Sequence, residues 1–213
     1  MGKIYDALDG KLADWILAQR LFFVATAPSD GGHVNCSPKG GIDTLRILGP
    51  HEIVYLDFVG SGAETIAHLR ENGRIVVMLC AFEGPPRIVR LHGRGTVTQL
   101  GEPAFDELYD QLGFDTVESA GEGARSVVRV DVERIADSCG YGVPLMSYEG
   151  RRTQQADWLD RQLRKGPNAV MDYSREKNSA SIDGLPGIEP ELLPDRAPAL
   201  DTAADRSVVS EGV

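Results

Sequence analysis

Within seven residues, His33-Val34-Asn35-Cys36-Ser37-Pro38-Lys39 carries a histidine, a cysteine, a serine and a lysine, and Gly40-Gly41 follows. A thiol close to an imidazole suggests a nucleophile with its base, but strand geometry argues against the pair. Successive side chains of an extended chain alternate faces, so His33, Asn35, Ser37 and Lys39 share one face while Val34 and Cys36 share the other. Cys36 is therefore expected as a small core residue beside Val34. The polar face offers an amide, a hydroxyl and an ammonium, and it leads into a glycine pair whose backbone N–H groups can approach a ligand closely. Such a strip suits a planar or phosphorylated molecule, and it equally suits a solvated strand face.

Two further groupings point to anions. Arg90, His92 and Arg94 alternate with Val89 and Leu91, which places three potential cations on one face within about 13 Å. The chain has 22 Lys and Arg against 32 Asp and Glu, a net charge of −10. A basic stripe in so acidic a chain suggests an anionic ligand; a row of surface ion pairs is the alternative. Gly60-Ser61-Gly62 opens a short helix whose first N–H groups form an anion site. Ser61-x-x-Glu64 has the spacing of a capping box, in which Glu64 already occupies that positive end and Ser61 and Thr65 cap and decorate the helix. No metal site is expected: the histidines lack a second His or Cys at ligand spacing. Gly93-x-Gly95 lies inside a strand with no helix after it, so it is no dinucleotide fingerprint.

The elements that must position these groups follow from periodicity. Ile4, Leu8, Leu12, Trp15 and Ile16 predict an amphipathic helix over 3–20. Strands are predicted over 21–27, 33–39, 44–48, 52–58, 74–82, 87–100 and 127–135, separated by Gly, Pro, Asn and Asp turns. Helices are predicted after Gly60, from Pro103, and over 151–165, the last stopped by Gly166-Pro167. Short strands at this spacing predict an antiparallel barrel or sandwich. Composition predicts one packed domain, with 42% of residues hydrophobic. The acidic balance argues against nucleic acid. The longest apolar run, Ile75–Phe82, is eight residues where a bilayer span needs about twenty, so no membrane partner is expected. Three widely spaced cysteines and an N-terminus without an apolar leader predict a cytoplasmic protein. Residues 189–213 hold six Asp or Glu, two Arg and no aromatic residue, and are expected to be a disordered acidic tail.

Four stretches in this order and spacing carry a resemblance: Asn35-Cys36-Ser37-Pro38-Lys39-Gly40; Tyr55-Leu56-Asp57-Phe58-x-Gly60-Ser61-Gly62; His68-Leu69-x-Glu71-Asn72-x-Arg74; and Val89-Arg90-Leu91-x-Gly93. From about Leu21 to about Pro144 the chain resembles the pyridoxamine 5′-phosphate oxidase-like, FMN-binding split-barrel proteins, in an uncharacterised branch rather than among the true oxidases. The resemblance implies a mainly β fold with flanking helices, a six-stranded antiparallel split β-barrel, usually a homodimer with FMN at the subunit interface. It divides the chain into an N-terminal helix over 1–20, a flavin-binding barrel over 21–146, a C-terminal helix and extension over 147–188, and the tail. It implies cofactor contacts from Asn35, Ser37, Pro38, Lys39, Asp57, Gly60, Ser61, Thr65, Arg90 and His92. The flavin ring would lie against the strand over 35–39, with the phosphate near Lys39 and the turn entering the helix at Gly60 and its charge met by Lys39, Arg90 or a partner subunit. The true oxidases carry a basic pair in the short helix where this chain has Glu64-Thr65. The activity implied is FMN-dependent oxidoreduction by hydride transfer, with a small-molecule substrate or electron donor and no catalytic residue named. Cys139 and Tyr141 either line the substrate side or form a strand-end turn. A non-catalytic flavin or haem binder, with His33 or His92 as the axial ligand, and a deazaflavin-dependent reductase are the alternatives.

Overall fold

In a computed structural model that describes residues 2–195, the chain builds one antiparallel sheet curled into a half-barrel. The strands are β1 (Ile4–Tyr5), β2 (Leu21–Thr26), β3 (Asn35–Gly40), β4 (Leu45–Gly49), β5 (Glu52–Phe58), β6 (Arg74–Cys80), β7 (Ile88–Gln99) and β8 (Ala124–Ser138). The helices are α1 (Gly10–Leu17), α2 (Glu64–Asn72), α3 (Pro103–Gln111), α4 (Ala120–Gly123), α5 (Gln154–Leu163) and α6 (Ala169–Asn178). The order across the sheet is β3-β2-β6-β7-β8-β5-β4, with β1 pairing β8. The class is the expected one, with eight strands rather than six.

Alternation puts Phe22, Val24, Val77, Leu91, Val128, Ile53 and Tyr55 on the concave side, where they form the main core with Leu12 and Ile16 of α1. Helix α2 packs against β2, β6 and β7 and adds Leu69 to the same core. Its close approach depends on Gly95, where a Cβ would meet the Leu69 side chain at 2.8 Å.

Several expectations are corrected. The first helix starts at Gly10, not residue 3, because Ile4–Tyr5 pairs with β8 and Tyr5 donates to Asp137 at 2.6 Å. Ser61 and Glu64 form no capping box: Ala63 precedes the helix, no side chain caps it, and Glu64 is its first residue. Cys36 is exposed rather than buried. A sixth helix, α6, follows Gly166-Pro167 and buries Val170 and Met171. Within residues 189–195 of the expected tail, Leu193 is buried and its carbonyl accepts from Arg175 at 2.8 Å. The rest of that stretch lies outside the described residues.

Candidate functional site

Strand β3 is an edge of the sheet, so its side chains border the opening of the barrel. Cross-strand pairs set Asn35 opposite Thr26, Ser37 opposite Val24 and Lys39 opposite Phe22. These pairs place the polar strip on the concave face, and Cys36 and Pro38 on the convex one. The strip is half-buried, whereas Cys36 and Pro38 are exposed.

At the end of the strip the Lys39 ammonium donates to Asp57 Oδ1 at 2.6 Å, joining β3 to β5 across the opening. The other oxygen of Asp57 accepts from Arg125 Nε at 2.8 Å. Arg125 reaches it through a β-bulge: Asp57 pairs with Ser126 and Phe58 with Ala124, leaving Arg125 as the extra residue. A second Arg125 nitrogen donates to the Gly62 carbonyl at 2.7 Å. Burial opposes ionisation of Asp57, but Arg125 and then Lys39 outweigh it and hold the carboxyl at about 2. The cluster of two cations and one anion keeps a net positive charge, and only Lys39 among the three reaches solvent, with a fifth of its side chain exposed. Arg125 is absent from the residues expected from sequence; it lies at the head of a strand run whose alternation would turn it away from Asp57, and only the bulge re-aims it.

Above the ion pair the strip is bonded inward. Asn35 donates to Thr26 Oγ1 at 3.1 Å and to Thr65 Oγ1 at 3.0 Å, and Ser37 donates to Asn35 Oδ1 at 2.8 Å. Thr26 Oγ1 lies 2.9 Å from His68 Nδ1. His68 is fully buried, its Nε2 has no partner, and burial holds its pKa below the usual histidine value against Glu64, Glu71 and Asp183.

The turn expected to cradle a phosphate is occupied by the chain itself. A Cβ on Gly62 would meet Glu64 Oε2 at 2.2 Å, so a carboxylate already lies at the start of α2. That carboxylate accepts from the Ile182 N–H at 3.2 Å, and Asn178 donates to the Gly60 carbonyl at 2.8 Å. The C-terminal segment is fastened further along by Asp183, which accepts from the His33 backbone at 2.8 Å and lies 2.7 Å from its ring nitrogen. Gly187 allows this closure: a Cβ there would meet the Asn178 carbonyl at 2.1 Å and Ala63 at 2.9 Å.

Arg90 and His92 do not join the strip. Rows of paired residues run Pro38, Phe23, Met78, Arg90 and Cys36, Ala25, Val76, His92, all on the convex face. Arg90 is thus on the opposite side from Lys39 and three strand spacings away, about 14 Å. Burial, Arg134 and Arg90 all lower the His92 pKa. A cavity of about 410 Å³ opens on that face beside His92, Val76 and Arg94. Cys139 and Tyr141 are exposed beyond β8. Among the described residues no group of three or more His, Cys, Asp or Glu is placed to hold a metal, and no helix is long and apolar enough to cross a membrane.

A curled antiparallel sheet with a helix set into its concave side defines a split-barrel protein, and comparison narrows the class. The sequence model described as "Pyridoxamine 5'-phosphate oxidase" matches residues 8–139. A protein of Aspergillus flavus named "Pyridoxamine 5'-phosphate oxidase family protein ustO" is 38% identical over 197 residues, which is 86% of this chain and 77% of that one. The chain belongs to the pyridoxamine 5'-phosphate oxidase family. Among solved structures, an FMN-binding protein from Syntrophomonas wolfei is similar at 20% identity, covering 62% of this chain and 83% of that one, with a TM-score of 0.44. HutZ, a haem storage protein from Vibrio cholerae, is similar at 12% identity, covering 63% and 97%, with a TM-score of 0.45.

Proposed function

We propose that this chain is an FMN-dependent oxidoreductase in which the flavin lies along the β3 edge and Lys39 meets its phosphate. The observation that carries this is the state of Lys39. One of its three donors is used on Asp57, its side chain reaches solvent, and Arg125 supplies the charge that leaves the cluster net positive. The fit is limited to that one cation. The α2 turn already holds the Glu64 carboxylate, and Arg90 and His92 face away. A homodimer belongs to the proposal, with a second copy of the chain bringing a further cation to the phosphate. The bound FMN supplies hydride transfer through its ring, and the protein supplies orientation and electrostatics. Here the network from Ser37 through Asn35 and Thr26 to His68 fixes the surface against which a ring rests. The substrate or electron donor is a small molecule, and the protein works in the cytoplasm.

The test is the spectrum of the purified protein and the mass of the ligand released by heat. A flavin spectrum, FMN in the released fraction and bleaching by NADH or NADPH support the proposal. A colourless protein that takes up no added FMN contradicts it, and a Soret band or a deazaflavin mass replaces it with another cofactor.

A further inference from the structure

We propose that a second cavity, of about 510 Å³, binds a small organic carboxylate recognised by Arg152. The cavity begins where the polar strip ends. Gly40 follows Lys39 and Phe58 follows Asp57, and both Gly40 and Phe58 line it. Its other wall runs from Tyr148 to Ala156, beyond the residues 8–139 that match the family. The contacts made by that wall therefore belong to the extension of this chain and not to the shared barrel.

Volume and lining both suit a small molecule. Leu21, Phe58, Val117 and Tyr148 offer apolar surface for a carbon body. The charged groups on the wall are Arg20, Arg151 and Arg152 against Asp43 and Glu118, a net +1 in a chain of −10. Arg151 is held by Asp43 at 2.7 Å. Arg20 lies over the Tyr148 ring, 4.8 Å from its centre, with Glu83 at 3.8 Å. Arg152 makes no ion pair or hydrogen bond among the described residues, and a free planar guanidinium pairs a carboxylate through two parallel bonds. Ser119, on the rim, is the one described residue other than glycine with a left-handed φ, 63°, and backbone strain of this kind concentrates at ligand sites.

Binding at this cavity stands on its own; its service as the substrate pocket of the enzyme rests on the flavin proposal. The experiment is calorimetric titration of the full-length protein with 2-naphthoate and with the uncharged 2-naphthamide, each for the wild type and Arg152→Gln, with FMN titrated separately. The wild type is expected to bind the acid about tenfold more tightly than the amide, and Arg152→Gln to lose that preference while keeping its affinity for the amide. Equal affinity for acid and amide, or a variant that keeps the preference, overturns the proposal. Naphthoate binding without FMN binding leaves this site standing and removes the flavin proposal; FMN binding without naphthoate binding does the reverse.

Discussion

Replacing Asp57 with asparagine removes the anion between two cations and keeps the shape of the side chain. Asp57 is 1% exposed, and its carboxyl lies at about 2 against an ordinary 3.8. That lowering corresponds to roughly 2–3 kcal/mol of stability at neutral pH. Because the folded value is the lower one, the contribution is present above the unfolded pKa and is lost as pH falls through the folded value. Roughly half of it remains at pH 3. Leaving Lys39 and Arg125 facing an uncharged amide adds the cost of unpaired buried charge, so Asp57→Asn is expected to lose about 3–5 kcal/mol at pH 7. Denaturant unfolding of both proteins at pH 7, 5 and 3 measures this. The gap between them should narrow by about 1 kcal/mol from pH 5 to pH 3. A variant within about 0.5 kcal/mol of the wild type at pH 7, or a gap that is constant with pH, would refute the description of a buried, ionised Asp57.

Gly187→Ala drives a Cβ into the Asn178 carbonyl and is expected to cost about 1–3 kcal/mol in the same assay; a neutral substitution would contradict that packing. Asp183→Asn weakens the clasp on the β2–β3 turn, so hydrogen exchange at the His33 amide should accelerate while exchange in β7 does not; unchanged protection at His33 would count against it. His68 should titrate below the usual histidine midpoint by proton NMR because it is buried; a midpoint at or above 6.5 would mean that its ring reaches water.

Strand periodicity alone located all seven long strands to within a few residues, because each alternates or runs apolar between glycine and proline turns. It also grouped Asn35, Ser37 and Lys39 correctly on one face. What it could not tell was which face of the sheet is concave. Alternation with Val34 favours an inward Cys36, yet the edge strand turns its polar side in, where Thr26, Thr65 and Asp57 satisfy it. The separation of Arg90 from Lys39 depends on strand order, which is a long-range property. The same holds for Glu64: its spacing from Ser61 fits a capping box, but the partner it finds is Ile182, 118 residues along the chain. Arg125 was hidden by a bulge that shifts the register by one residue. Gly166-Pro167 reads as a stop and so hides helix α6, although Val170, Met171 and Ser174 recur at helical spacing and are all buried.

The assignment of Lys39 is tested most directly by comparing FMN with riboflavin, which lacks only the phosphate, on the wild type and on Lys39→Gln. A charge-assisted bond of about 1.5–3 kcal/mol predicts that the wild type prefers FMN by roughly 10- to 150-fold. Lys39→Gln should bind riboflavin as before and lose most of that preference. A wild type that binds both flavins equally, or a variant that discriminates between them as well as the wild type does, would place the phosphate elsewhere and contradict the site described.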